Sequence, residues 1–120
     1  MPTKDGRAHS LVPSLGDVFD RASRAETRRV EAHETIYAIG DEDESMYLIL
    51  SGQVKLSMSS ASGKDCLLAI YSKGEVFGES CFSGPMKRFE TATAMQPTAV
   101  RKLTSRDFLS ELEKARGWNR

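Results

Sequence analysis

A carboxylate and a guanidinium nine positions apart, Glu79 and Arg88, bracket the segment of this chain best suited to hold a ligand. The stretch reads Phe77-Gly78-Glu79-Ser80-Cys81-Phe82-Ser83-Gly84-Pro85-Met86-Lys87-Arg88. Arg88 supplies a planar, permanently charged fork that suits phosphate oxygens, while Glu79 accepts hydrogen bonds from sugar hydroxyls. Gly78 carries no Cβ, so its backbone can come close to a ligand. Residues 80–83 are expected to form one helical turn whose free N–H groups face an anion. These residue types, taken together, describe a cradle for a phosphorylated sugar. The competing reading is an ion pair between Glu79 and Arg88 closing an empty pocket, because buried charges need partners.

Nothing in the chain points as directly to catalysis. No nucleophile–base pair and no general acid stand at a defined spacing, so no catalytic residue is assigned and the chain is not read as an enzyme. His9 and His33 are the only histidines and do not lie at metal-ligand spacing. That excludes the metal-dependent enzymes built on jelly rolls, which need clustered histidines. Cys66 and Cys81 form no CxxC pair and read as reduced, largely buried thiols. No metal and no cofactor is therefore required. Arg24, Arg28, Arg29, Lys55 and Lys64 read as solvated surface charge.

The elements that must position Glu79 and Arg88 follow from periodicity. Residues 15–22 place Leu15, Val18, Phe19 and Ala22 on one helical face. Strand signals begin at Arg29-Val30-Glu31 and continue at residues 35–39 before a turn at Gly40-Asp41. A dense apolar run, Met46-Tyr47-Leu48-Ile49-Leu50, is stopped by Ser51-Gly52. Val54, Leu56 and Met58 then alternate with Lys55, Ser57 and Ser59, the period of a strand with one buried face. Residues 59–64 form a polar hairpin tip with Gly63, residues 66–71 resume as a strand, and Ser72-Lys73-Gly74 turns the chain. Residues 91–95 and 99–103 make two more strands around Pro97. Residues 104–116 switch to a helical period with Phe108, Leu109 and Leu112 on one stripe, capped by Thr104 or Ser105, and with Asp107 in the first turn. Many short strands framed by two helices predict a mainly β fold, a jelly-roll or double-stranded β-helix barrel with short flanking N- and C-terminal helices.

With these blocks in place, the chain resembles the cyclic-nucleotide-binding domain, in particular the sensor domain of the catabolite-activator/Fnr family of bacterial transcription regulators. The first matching block is Gly40-Asp41, then Met46-Tyr47-Leu48-Ile49 and Gly52; the second is Phe77-Gly78-Glu79 with Arg88, and Ala94 falls at a small-residue position. The resemblance spans roughly residues 14 to 115. It implies that Glu79 contacts a ribose 2′-hydroxyl, that Arg88 contacts a cyclic phosphate, and that backbone N–H groups of Gly78, Ser80 and Cys81 complete the cradle. The implied ligand-binding set is Phe77, Gly78, Glu79, Ser80, Cys81, Arg88 and Phe89, with Phe77 and Tyr47 also serving the core. Phe89 stands where the family carries Ser, Thr or Ala, and Glu90 where Ala follows. Phe89 cannot donate a hydrogen bond to phosphate. Glu90 is expected to pair with Arg88 or to bring negative charge near the anion, unless strand alternation turns it away.

Bulk properties set the frame. At 120 residues the chain is expected to comprise a flexible segment at 1–12, one domain at 13–116 and a tail at 117–120. Lys plus Arg equals Asp plus Glu at 17 each, so the broad positive footprint of a nucleic-acid binder is missing and no DNA contact by this chain itself is expected. No apolar run approaches the roughly 20 residues needed to cross a bilayer. Residues 1–10 are polar, without the apolar centre of a signal peptide, which points to a cytoplasmic protein with no membrane partner. The expected function is a small-ligand sensor with cAMP or cGMP as the ligand, the effector-binding part of a transcription regulator, forming a homodimer through its C-terminal helix. The alternative is a degenerate β-roll that binds no nucleotide and acts as an interaction or dimerisation module. On the sensor reading, Arg88→Ala is expected to abolish binding and leave the fold nearly unchanged.

Overall fold

Strand β3 (Ser45–Ser51) is buried on both faces, which accounts for its unbroken apolar run. Tyr47 and Ile49 point into one hydrophobic cluster, while Met46 and Leu48 point into a second on the opposite side. A strand whose side chains alternate between two dry environments has no need for polar residues at every second position. The computed structural model describes residues 15–22, 24–79 and 87–115. The expected lead-in, the tail and the helical turn at 80–83, with Ser80 and Cys81, lie outside the described residues.

Helix α1 (Leu15–Arg21) is followed by β1 (Glu26–Val30), β2 (Thr35–Tyr37), β3, β4 (Gln53–Ser59), β5 (Asp65–Ser72), β6 (Val76–Phe77), β7 (Thr91–Ala94), β8 (Thr98–Thr104) and helix α2 (Ser105–Ala115). The strands form two antiparallel four-stranded sheets, β1-β8-β3-β6 and β2-β7-β4-β5. Consecutive strands β3 and β4 lie in different sheets, as do β7 and β8, so the chain rolls from one sheet to the other in the manner of a jelly roll. Among the described residues no ladder joins the sheets, and the roll is open rather than a closed barrel.

Crossing between sheets sets a tight condition at Gly52. Its φ is +95°, and a Cβ there would lie 2.3 Å from Thr98 Oγ1 and 2.6 Å from the Pro97 carbonyl. Thr98 Oγ1 in turn accepts from the Gln53 N–H at 3.2 Å, tying the bend to β8. Glycine is required for both conformation and space.

The inner cluster between the sheets contains Tyr37, Tyr47, Ile49, Val54, Phe77 and Val100. Tyr47 and Phe77 stack with centroids 5.1 Å apart, and Phe77 also meets Tyr71 at 6.2 Å. The outer cluster joins both helices to β3 and β8 through Val18, Phe19, Met46, Leu103 and Phe108. Thr104 caps α2, its Oγ1 accepting from the Asp107 N–H at 3.1 Å.

Two expectations need correction, and one strand was not foreseen. Leu109 is 48% exposed, because Phe108 and Leu112, four apart, define the buried stripe and Leu109 sits about 100° round the helix from Phe108. Cys66 is exposed, not buried, because β5 is an edge strand whose side chains face largely into solvent. The two-residue strand β6 has no period of its own; pairing of Phe77 with Tyr47 creates it.

Candidate functional site

The end of β6 delivers Gly78 and Glu79, and the approach to β7 delivers Arg88, Phe89 and Glu90. The last three alternate in direction just ahead of β7. Arg88 and Glu90 turn inward, at 3% and 4% exposure, while Phe89 turns out and is 52% exposed.

The guanidinium of Arg88 is gripped from several sides. Nη1 donates to the Gly78 carbonyl at 2.8 Å, and Nη2 donates to the Ser45 carbonyl. Asp43 Oδ2 stands 3.4 Å from Nη2. The Tyr37 ring lies beneath, with Cζ 4.0 Å from its centroid. The backbone is held too: Arg88 N–H donates to Asp41 O and Gly40 N–H donates to Arg88 O, both at 2.8 Å. Arg88 thus staples the 40–45 loop to Gly78 at the end of β6.

Gly78 makes that staple fit. Its φ is +92°, and a Cβ would come within 3.0 Å of the Ser45 carbonyl and 3.3 Å of Arg88 Nη2. The close approach expected at this glycine is therefore realised by Arg88 itself. Burying the charged head here requires partners, and the carbonyls with Asp43 supply them. Among the described residues the ion pair to Arg88 comes from Asp43 rather than Glu79.

Glu79 instead lines an open cleft of about 500 Å³ with Leu56, Leu68, Ala69, Tyr71, Phe89 and Glu90. Phe89 stands on its wall and leaves the hollow open. The cleft offers apolar and aromatic surface beside two carboxylates, a setting for a flat organic body bearing hydrogen-bond donors. Phe77, from the implied ligand set, is fully buried in the aromatic core.

Two buried phenols complete the network. Tyr37 donates to Glu90 Oε2 at 2.7 Å and Tyr47 donates to Asp43 Oδ2 at 2.6 Å. Burial first, then the hydrogen bond to Glu90, holds the Tyr37 phenol above the ordinary tyrosine range; burial and Asp43 do the same for Tyr47. Burial, with Glu79, Glu75 and Glu90 nearby, also raises Tyr71. Sequence reasoning missed Tyr37, Asp43 and Ser45 as partners of the cassette. The Gly40-Asp41 turn was the available signal, since it fixes the loop that carries Asp43.

The site therefore combines an antiparallel roll, a buried Arg88 bonded to the Gly78 carbonyl and a neighbouring Glu79 that faces a cleft. The profile of the cyclic nucleotide-binding domain family matches residues 27–115, and the chain belongs to that family. It is 28% identical to the cyclic AMP receptor protein of Thermus thermophilus over 88% of this chain and 48% of that protein. The crystal structure of the Thermus thermophilus catabolite activator protein superposes with a TM-score of 0.75, covering 88% of this chain and 49% of that one. A lysophospholipase of Aspergillus oryzae is 32% identical over 80% of this chain but only 6% of its own length. The chain thus spans about half of the bacterial receptor and a small part of the fungal enzyme.

Proposed function

We propose that this domain binds a cyclic nucleotide, cAMP or cGMP, in the cleft beside Glu79, and serves as the effector-binding part of a cytoplasmic transcription regulator. The observation that carries the reading is the sharing of one peptide unit: Arg88 bonds to the Gly78 carbonyl while Glu79, the next residue, faces the cleft. Glu79 accepts from the ribose hydroxyl, Phe89 and Tyr71 flank the bound molecule, and backbone N–H groups near Gly78 meet the phosphate. Arg88 is drawn toward the phosphate by charge, exchanging carbonyl bonds for anionic oxygens.

That exchange reaches the C-terminal helix along a short route. Asp43 and Ser45 hold the Arg88 head, and the Glu44 carbonyl between them accepts from Ser105 N–H, the first residue of α2, at 2.8 Å. A ligand that favours the released position of Arg88 shifts the population of α2 positions by its differential affinity for the two states. On this reading α2 forms the homodimer contact. No catalytic step is part of this role. Calorimetric titration of the chain with cAMP and cGMP tests it: heat of binding with a raised melting temperature is expected, and silence at millimolar concentration of both ends the nucleotide reading.

A further inference from the structure

Glu90 is 4% exposed, yet only one of its oxygens is occupied. Oε2 accepts from Tyr37, whereas Oε1 is buried with no hydrogen-bond partner. Glu90 lines the cleft together with Glu79. Buried acceptors are nearly always satisfied, and an unsatisfied charged one is costly to keep. No Lys or Arg is among the described residues lining the cleft. The raised Tyr37 phenol keeps its proton at neutral pH and remains a donor to Oε2. The second oxygen has no partner within the described residues.

We propose that Glu90 is a ligand-selecting residue whose unpaired oxygen, once its carboxylate turns toward the cleft, accepts a hydrogen bond from an N–H group of the molecule bound beside Glu79. The inference rests on the nucleotide reading above and adds to it. A phosphate oxygen at neutral pH has no proton to offer and is repelled by a carboxylate. A 3′,5′-cyclic nucleotide has a single free ribose hydroxyl, which Glu79 takes, so the part that meets Glu90 is an N–H group of the base.

The test compares three ligands on the parent chain, Glu90→Gln and Glu90→Ala: cAMP, its 2′-deoxy analogue, and the purine analogue without the 6-amino group. If cGMP is the tighter ligand, the cyclic guanosine series with cyclic inosine monophosphate replaces them. On the parent chain, deleting the donor that Glu90 reads is expected to weaken binding about 10- to 100-fold. In both variants that penalty should fall to about threefold or less, for that analogue alone. The deamino arm reads Glu90, whereas the 2′-deoxy arm reads Glu79 and should keep its penalty in both variants. Glu90→Gln keeps an acceptor for Tyr37, so it carries the comparison where circular dichroism finds Glu90→Ala unfolded. Binding with unchanged penalties in the folded variants overturns the role of Glu90 and leaves the nucleotide reading standing. Absence of binding by the parent chain overturns both.

Discussion

The guanidinium of Arg88 sits over the ring of Tyr37, its central carbon 4.0 Å from the ring centroid. Tyr37 in turn donates to Glu90, so a single phenol separates the cassette arginine from the carboxylate two residues later. Tyr37 thus contacts both, its ring under the Arg88 guanidinium and its hydroxyl on Glu90 Oε2, while Asp43 forms an ion pair with Arg88. Four consequences can be measured.

Arg88→Ala is expected to destabilise the fold as well as impair binding. Removing the guanidinium strands the Ser45 and Gly78 carbonyls and leaves Asp43 without its cation. Breaking a buried charged pair costs about 3–5 kcal/mol, and the partial exposure of Asp43 places this case at about 3 kcal/mol or below. Urea unfolding measures it. A loss under 0.5 kcal/mol contradicts the staple described here.

Tyr37→Phe removes the donor to Glu90 Oε2, leaving both carboxylate oxygens unsatisfied. A cost of about 1–3 kcal/mol is expected at neutral pH. The pH dependence follows from linkage. Tyr37 and Tyr47 have folded pKa values above the unfolded value of about 10. Their contribution is complete below pH 10 and is lost as pH rises above it, because the unfolded chain releases its protons first. Stability measured from pH 9 to 11 should fall in the parent chain, and more gently in Tyr37→Phe. Equal slopes contradict the assignment.

Gly52→Ala and Gly63→Ala separate space from conformation. Both glycines have positive φ, at +95° and +87°, but nothing lies within 4 Å of a Cβ at Gly63. Gly63→Ala is expected to cost about 1–2 kcal/mol from backbone strain alone. Gly52→Ala should cost several kcal/mol, on the order of overpacking added to the same strain. Comparable melting temperatures for the two variants exclude this account of the inter-sheet bend.

Phe89→Ser removes a half-exposed ring from the wall of the cleft. Stability should change by about 0.5 kcal/mol or less. Affinity for cAMP should fall several-fold, because the ring that flanks the bound molecule is lost. Unchanged or tighter binding by Phe89→Ser contradicts the flanking role of the ring.

Periodicity alone located most of the elements. The alternation in β4, the apolar run in β3 and the helical stripe of α2 are local patterns, and local patterns survive without knowledge of the fold. The residues Gly78, Glu79 and Arg88 were equally legible, since their types name their chemistry. Strand β6 was hidden because two residues carry no period, and the exposure of Cys66 and Leu109 depended on which strand lies at an edge and which helix face meets the sheet.

What sequence determined by itself was the class of fold and the chemical character of the cassette, because spacing and side-chain type are properties of the chain. Tertiary structure alone decided that Arg88 turns to Asp43, Ser45 and Tyr37, residues 43 to 51 positions earlier in the chain, while Glu79 and Glu90 face the cleft. A buried charge selects its partners by proximity and desolvation in the folded state, and no sequence separation records which carbonyls will be within reach.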